Sequence, residues 1–179
     1  VITVTTILAP DCAQCFDPVV LTRSLSSNTR LKITAERRVE AQSEEGQALV
    51  KDLKITQVPA VLIEGQIERA LTAAEFLKNY GSTASDGRFV ASLLPPPYLE
   101  IGSGAVRGLF EATYLADASC QDCYDVTKHR SAMSGLGLVP ATETTIDRND
   151  AAGKNLIKQY GVESVPTLLL KGDLGVYPR

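Results

Sequence analysis

Four cysteines stand in two Cys-x-x-Cys pairs, Cys12-Ala-Gln-Cys15 and Cys120-Gln-Asp-Cys123, and they are the obvious reactive groups of this chain. Two cysteines at that spacing can make and break a disulfide between themselves, so each pair can hold or release two electrons. Little else in the composition could do chemistry. There is one histidine, His129, and no tryptophan. A His-based metal site or a Ser-His-Asp triad in each half is therefore impossible, because one half has no histidine at all. Pairs as far apart as 12–15 and 120–123 do not fit the short spacings of a zinc ribbon, and no metal ligand is expected.

The surrounding sequence repeats. The stretch 49–65, LVKDLKITQVPAVLIEG, aligns without a gap on 156–172, LIKQYGVESVPTLLLKG, with Leu, Lys, Val-Pro, Leu and Gly in register. Upstream, Cys12–Cys15 matches Cys120–Cys123 with one residue of slippage. Two different features recurring in the same order point to two copies of one unit.

Each copy carries the same run of elements. In the first, Ile2 to Leu8 is β-branched and threonine-rich, which suits a strand. Asp11 is placed to cap a helix starting near Cys12, with an apolar face at Phe16, Val19, Val20 and Leu25. Leu31 to Val39 alternates as a half-buried strand does, and a second helix runs from Ser43 through Gln47 to Leu53. Val58-Pro59 leads into an apolar strand at 60–63, then a short strand around Ile67 and a helix from Leu71 to Tyr80 ended by Gly81. The second copy predicts a strand at 109–115, a helix from Cys120 to Met133, a strand at 143–146, a helix at 151–160, a strand at 167–170 and a return strand near Val176. No counterpart of the helix Leu71 to Tyr80 precedes Arg179, so the natural chain is expected to continue. Between the copies, residues 82–107 read as a linker, with Pro95-Pro96-Pro97 stiff and Gly102-Ser103-Gly104 flexible. The division is thus 1–81, 82–107 and 108–179.

A first cysteine at a helix N-terminus would gain thiolate character from the unpaired N–H groups and the dipole. The thiolate is the attacking species. Attack is therefore assigned to Cys12 and Cys120, and resolution to Cys15 and Cys123 about one turn on. Asp122 opposes thiolate formation in the second pair by charge repulsion, so Cys12 is expected to be more acidic than Cys120, with Asp11 narrowing the difference. His129 falls on a different face of the predicted helix and reads as a surface residue.

Cys-x-x-Cys after a first strand, followed by Val-Pro before an apolar strand, resembles the thioredoxin superfamily, and two such folds in one polypeptide resemble the tandem protein disulfide oxidoreductases and protein disulfide isomerase. The resemblance covers nearly the whole chain outside the linker. It implies an α/β chain of two tandem thioredoxin-like folds, each a central mixed β-sheet flanked by helices, the second lacking its last helix. It also implies cis peptide bonds before Pro59 and Pro166, with Val58-Pro59 and Val165-Pro166 contacting an extended substrate. Thioredoxin itself has Trp before the first cysteine, Gly-Pro inside the pair, and a buried acid six residues upstream. Here those places hold Asp11 and Ser119, Ala-Gln and Gln-Asp, and Thr6 and Tyr114.

The expected activity is that of an enzyme exchanging thiols and disulfides on protein cysteines through mixed disulfides. Its partners would be protein substrates and a separate redox partner that resets the pairs, with no bound cofactor. Two alternatives remain: a peptide- or partner-binding module with permanent disulfides, and a metal-binding protein. The net charge of -3 gives no reason to seek nucleic acid. No run approaches the roughly 18 apolar residues of a membrane span. The start at Val1 without Met leans the location towards an extracytoplasmic one, with the cytoplasm open.

Overall fold

Ala60 to Ile63 is an unbroken apolar run, as a strand covered on both faces must be. In the computed structural model, which describes residues 1–29, 31–67 and 70–177, that run lies in β4 (Ala60–Gly65) inside a five-stranded sheet. The other strands are β1 (Ile2–Leu8), β2 (Ile33–Glu40), β5 (Gly81–Thr83) and β6 (Phe89–Ala91), in the order β2-β1-β4-β6-β5. β1 is parallel to β2, and the other neighbours are antiparallel. The side chains of β4 alternate between two cores. Val61 and Ile63 pack with Leu21, Leu25, Ala73 and Leu77, which come from α1 (Val19–Asn28) and α3 (Leu71–Leu77). Ala60 and Leu62 face Ile55 and the partly buried Leu49 and Val50 of α2 (Glu44–Asp52). Helices thus cover the sheet on both faces. A small second sheet pairs β3 (Gln57–Val58), β7 (Tyr98–Glu100) and β8 (Ala105–Arg107) in the order β3-β7-β8.

The chain divides into two compact units, Val1–Arg107 and Gly108–Arg179. The second has a three-stranded sheet in the order β10-β9-β11, built from β9 (Phe110–Ala116), β10 (Thr142–Asp147) and β11 (Thr167–Gly172). β9 is parallel to β10 and antiparallel to β11, the same relations that β1 has with β2 and β4. Phe110, Ala112 and Tyr114 of β9 pack with Val126 and with Met133 of α4 (His129–Gly135). α5 (Ala151–Tyr160) follows β10 and ends on the left-handed Gly161. The whole is a mixed α/β structure with five helices among the described residues, consistent with the thioredoxin-like fold class. Among those residues no sheet closes into a barrel.

One close approach recurs. A Cβ at Gly46 would stand 2.0 Å from the Glu40 carbonyl oxygen, and one at Gly153 would stand 2.1 Å from that of Asp147. Both glycines sit in the first turn of the helix that follows the parallel edge strand, where any side chain would push helix and strand apart.

Three expectations need correction. Residues 82–107 are not a linker: they carry β6, β7, β8 and most of β5, because Phe89, Val90 and Ala91 bury themselves beside β4. Among the described residues no strand is found around Ile67, and the place next to β4 is taken by β6, which follows α3 rather than preceding it. The return strand expected near Val176 is a 3-10 turn at Leu174–Val176, whose Leu174 packs on the second unit's core.

Candidate functional site

Each cysteine pair lies in the loop leaving the C-terminal end of the first strand of its unit. The N–H of Cys12 donates to the Ala9 carbonyl at 3.3 Å, and that of Cys120 to the Asp117 carbonyl at 3.2 Å. Within each pair the sulfurs are bonded, Cys12 to Cys15 at 2.04 Å and Cys120 to Cys123 at 2.08 Å. All four cysteines are half-buried, so a small reagent or a substrate sulfur can reach them.

The helix after each pair starts later than the apolar pattern implied. Cys12 to Cys15 form a turn, and α1 begins only at Val19. Pro18 is the reason: it disfavours a helical Asp17 before it, and its fixed φ suits the first position of a helix. Asp17, not Asp11, supports the start of the helix: Pro18 is its N-cap residue, and Asp17 Oδ1 accepts the Val19 N–H at 3.0 Å. Asp11 instead accepts from Gln42 Nε2 at 3.3 Å. The second unit repeats the device. Asp125 Oδ1 accepts the Thr127 N–H at 3.0 Å and its hydroxyl at 2.7 Å, and a 3-10 turn at Val126–Lys128 leads into α4. The hydrogen bond from the Thr127 side chain holds the Asp125 carboxyl below its ordinary range. These two aspartates escaped the sequence reading, although a signal was present: both pairs continue as Cys-x-x-Cys, aromatic, Asp, with Phe16-Asp17 and Tyr124-Asp125. Since neither helix starts at its first cysteine, the N-terminal dipole does not act on Cys12 or Cys120 as proposed from sequence.

Two further carboxylates anchor the loop that carries Cys120. Asp117 Oδ1 accepts the Ser119 N–H at 3.0 Å and its hydroxyl at 2.5 Å, while Oδ2 lies 3.3 Å from the Arg148 guanidinium. Asp147 Oδ2 accepts the Ala118 N–H at 2.6 Å. Both carboxyls are held below the usual range, Asp117 chiefly by the Ser119 hydroxyl and Asp147 chiefly by the Ala118 amide. Asp117 has no counterpart before Cys12, where the matching residue is Ala9. Tyr114 stands where thioredoxin keeps its acid. It is fully buried and donates its hydroxyl to Glu143 Oε2 at 2.9 Å, with burial pushing its pKa up. It therefore stays protonated and offers no base to the pair. His129 is half-buried, its ring 5.6 Å from that of Tyr124, which directly follows Cys123.

The two Val-Pro sites lie at matching places. Ala60 faces Ile7 and Thr167 faces Leu115, which brings Pro59 and Pro166 to the end of the first strand in each unit, where the cysteine loop departs. The Val58–Pro59 and Val165–Pro166 peptide bonds are cis, as is Pro96–Pro97. Their surroundings differ: Val58 and Pro59 are buried, whereas Val165 and Pro166 are half-exposed. Among the described residues no three His, Cys, Asp or Glu side chains gather as a metal site requires, and no helix is long and apolar enough to cross a membrane.

No protein-family model and no curated protein matches the chain. Among solved structures it is similar to the alkylhydroperoxide reductase protein AhpF of Enterococcus faecalis at 17% identity, over 96% of this chain and 82% of that one. The TM-score is 0.25, too low for the likeness to bear on fold or function.

Proposed function

We propose that the protein is a thiol–disulfide oxidoreductase acting on protein cysteines through mixed disulfides. The observation that carries this reading is the placement of two bonded Cys-x-x-Cys pairs, each half-exposed, in a loop at the end of a first strand and beside a Val-Pro step. Cys12 and Cys120 attack, Cys15 and Cys123 resolve, and a substrate segment lies along Val165-Pro166; at the matching Val58-Pro59, expected from sequence to do the same, both residues are buried and Val58 already pairs with Leu99. A partner thiol or disulfide resets each pair after a turnover, and the cysteines themselves carry the two electrons. The experiment is capture: Cys15→Ser and Cys123→Ser each leave an attacking thiol that cannot be resolved. Both variants should accumulate a disulfide-linked adduct with a disulfide-bearing protein substrate. Absence of adducts from both would sink the proposal.

A second reading has one specific observation in its favour. Neither first cysteine heads a helix, which removes a common source of thiolate stabilisation. On that reading the chain is a binding module with permanent disulfides, and neither variant would form an adduct.

A further inference from the structure

α2 and α5 hold matching places in the two units, and each leads into a turn whose backbone is left-handed at one residue. After α5 that residue is Gly161, at φ 61°, and glycine commonly closes a helix in this way. After α2 the residue in register with it is Lys54, at φ 53°. Among the described residues Lys54 is the only one other than glycine with a positive φ. A side chain makes that backbone unfavourable, and lysine has no short polar group to offset it as Asn does. Space does not decide between the two, since a Cβ at Gly161 would meet nothing within 4 Å. The first unit thus holds a lysine where the backbone favours glycine, and such outliers gather at functional sites.

Lys54 lines a hollow of about 480 Å³, the size of sites that hold small molecules. The buried Ala41 and Ile55, the partly buried Val50 and the exposed Ile101 give the hollow apolar walls. Ile101 is fixed there by its N–H, which donates to the Thr56 carbonyl at 2.9 Å. Lys51, about one turn before Lys54, lines the same hollow. Both lysines are exposed, and among the described residues neither takes part in an ion pair. Surface lysines are ordinarily just solvated; what sets Lys54 apart is the backbone that holds it. An apolar hollow with two unpaired cations in its wall is complementary to an anion with an apolar body.

We propose that this hollow binds a small aliphatic carboxylate. The hydrocarbon tail lies against Ala41, Val50 and Ile55 and leaves water there, while the carboxylate pairs with the ammonium groups of Lys51 and Lys54. These residues all belong to the first unit and lie outside its cysteine loop, so the site stands whether or not the cysteine pairs exchange.

The test uses the full chain with both disulfides formed. Its backbone amides are followed by NMR as octanoate is added, with octan-1-ol and octylammonium as controls. Octanoate should give saturable shifts at the amides of Val50 to Thr56 and of Ile101. It should bind at least about fivefold more tightly than octan-1-ol, the effect that one partly exposed ion pair supplies, and octylammonium should bind most weakly. No saturable shift at those amides, or octan-1-ol binding as well as octanoate, would overturn the proposal. Lys54→Gly separates the charge from the fold, because glycine is what the second unit has at this position. Its thermal midpoint should equal or exceed the parent's, and its affinity for octanoate should fall about threefold or more. Unchanged affinity in that variant would take the lysine out of the site and overturn the assignment. A midpoint below the parent's would show that the backbone there favours lysine, which removes the ground for the site.

Discussion

Asp117 and Asp147 tie down the loop that carries Cys120, and their lowered pKa values have a consequence for stability. Each carboxyl binds its proton less readily folded than unfolded. The stabilisation is therefore fully present above the unfolded value, about 3.9 for Asp, and is lost as pH falls through the lower folded one. Asp147→Asn should lower the urea midpoint of the second unit at neutral pH, and the gap to the parent should close in acid below the ordinary carboxylate range. A gap independent of pH would mean that the charge plays no part. The same carboxylates hold Ala118 and Ser119, just before Cys120, and Asp122 lies inside the pair, so the loop carries negative charge beside the cation paired there, Arg148. Alkylation followed against pH should find the Cys12 thiol ionising at lower pH than that of Cys120. The reverse order would show that backbone dipoles outweigh these charges. Of the site residues, the cysteines and the Val-Pro steps were legible because their types and spacing repeat. Asp117 and Asp147 were not, since they meet at the loop only through the pairing of β10 with β9.

At the scale of elements, the glycines in the first turns of α2 and α5 set how closely those helices approach the ends of their strands. Gly46→Ala and Gly153→Ala put a methyl group where a carbonyl oxygen stands at 2.0 and 2.1 Å. Overpacking of this kind costs about 1–3 kcal/mol, so chemical denaturation should place both variants that far below the parent. Unchanged stability would mean that the helices shift freely. Ser43 caps α2 through its hydroxyl, which accepts the Gly46 N–H at 3.0 Å, and Ser43→Ala should cost about 1 kcal/mol in the same assay. β1 and α5 were readable almost to the residue, because each carries its own period and its own end signals. The start of α1 was misread because Phe16, Val19 and Val20 suggest a helical face whether or not the backbone upstream of Pro18 can join it. β5 and β6 were missed for a different reason. Strands of three residues are too short to display alternation, and what holds Phe89 to Ala91 is β4, far away in sequence.

At the scale of the molecule, the boundary between units falls at 107/108 and not at 81. A fragment of residues 1–107 should therefore fold, with a cooperative thermal transition and the Cys12–Cys15 disulfide intact. A fragment ending at residue 81 would strip β6 from the edge of β4 and expose Ile63 and Leu62, and it should show no cooperative transition. Cooperative unfolding of the shorter fragment would restore the linker reading of 82–107. The prolines and glycines of that span made it look like a spacer. Pro96 and Pro97 in fact lie buried within the first unit, and the Tyr98–Glu100 strand pairs with the residues before Pro59.

Both units thus present a bonded cysteine pair in a half-exposed loop, and the account stands or falls on whether those bonds cycle. The most direct measurement is a redox titration of each pair in graded thiol–disulfide buffers, with free thiols blocked and each cysteine peptide scored by mass spectrometry. Working exchange predicts potentials between about -120 and -270 mV for both pairs. Potentials below about -300 mV for both would make the disulfides permanent fixtures and contradict the account, leaving the binding module as the reading of the fold.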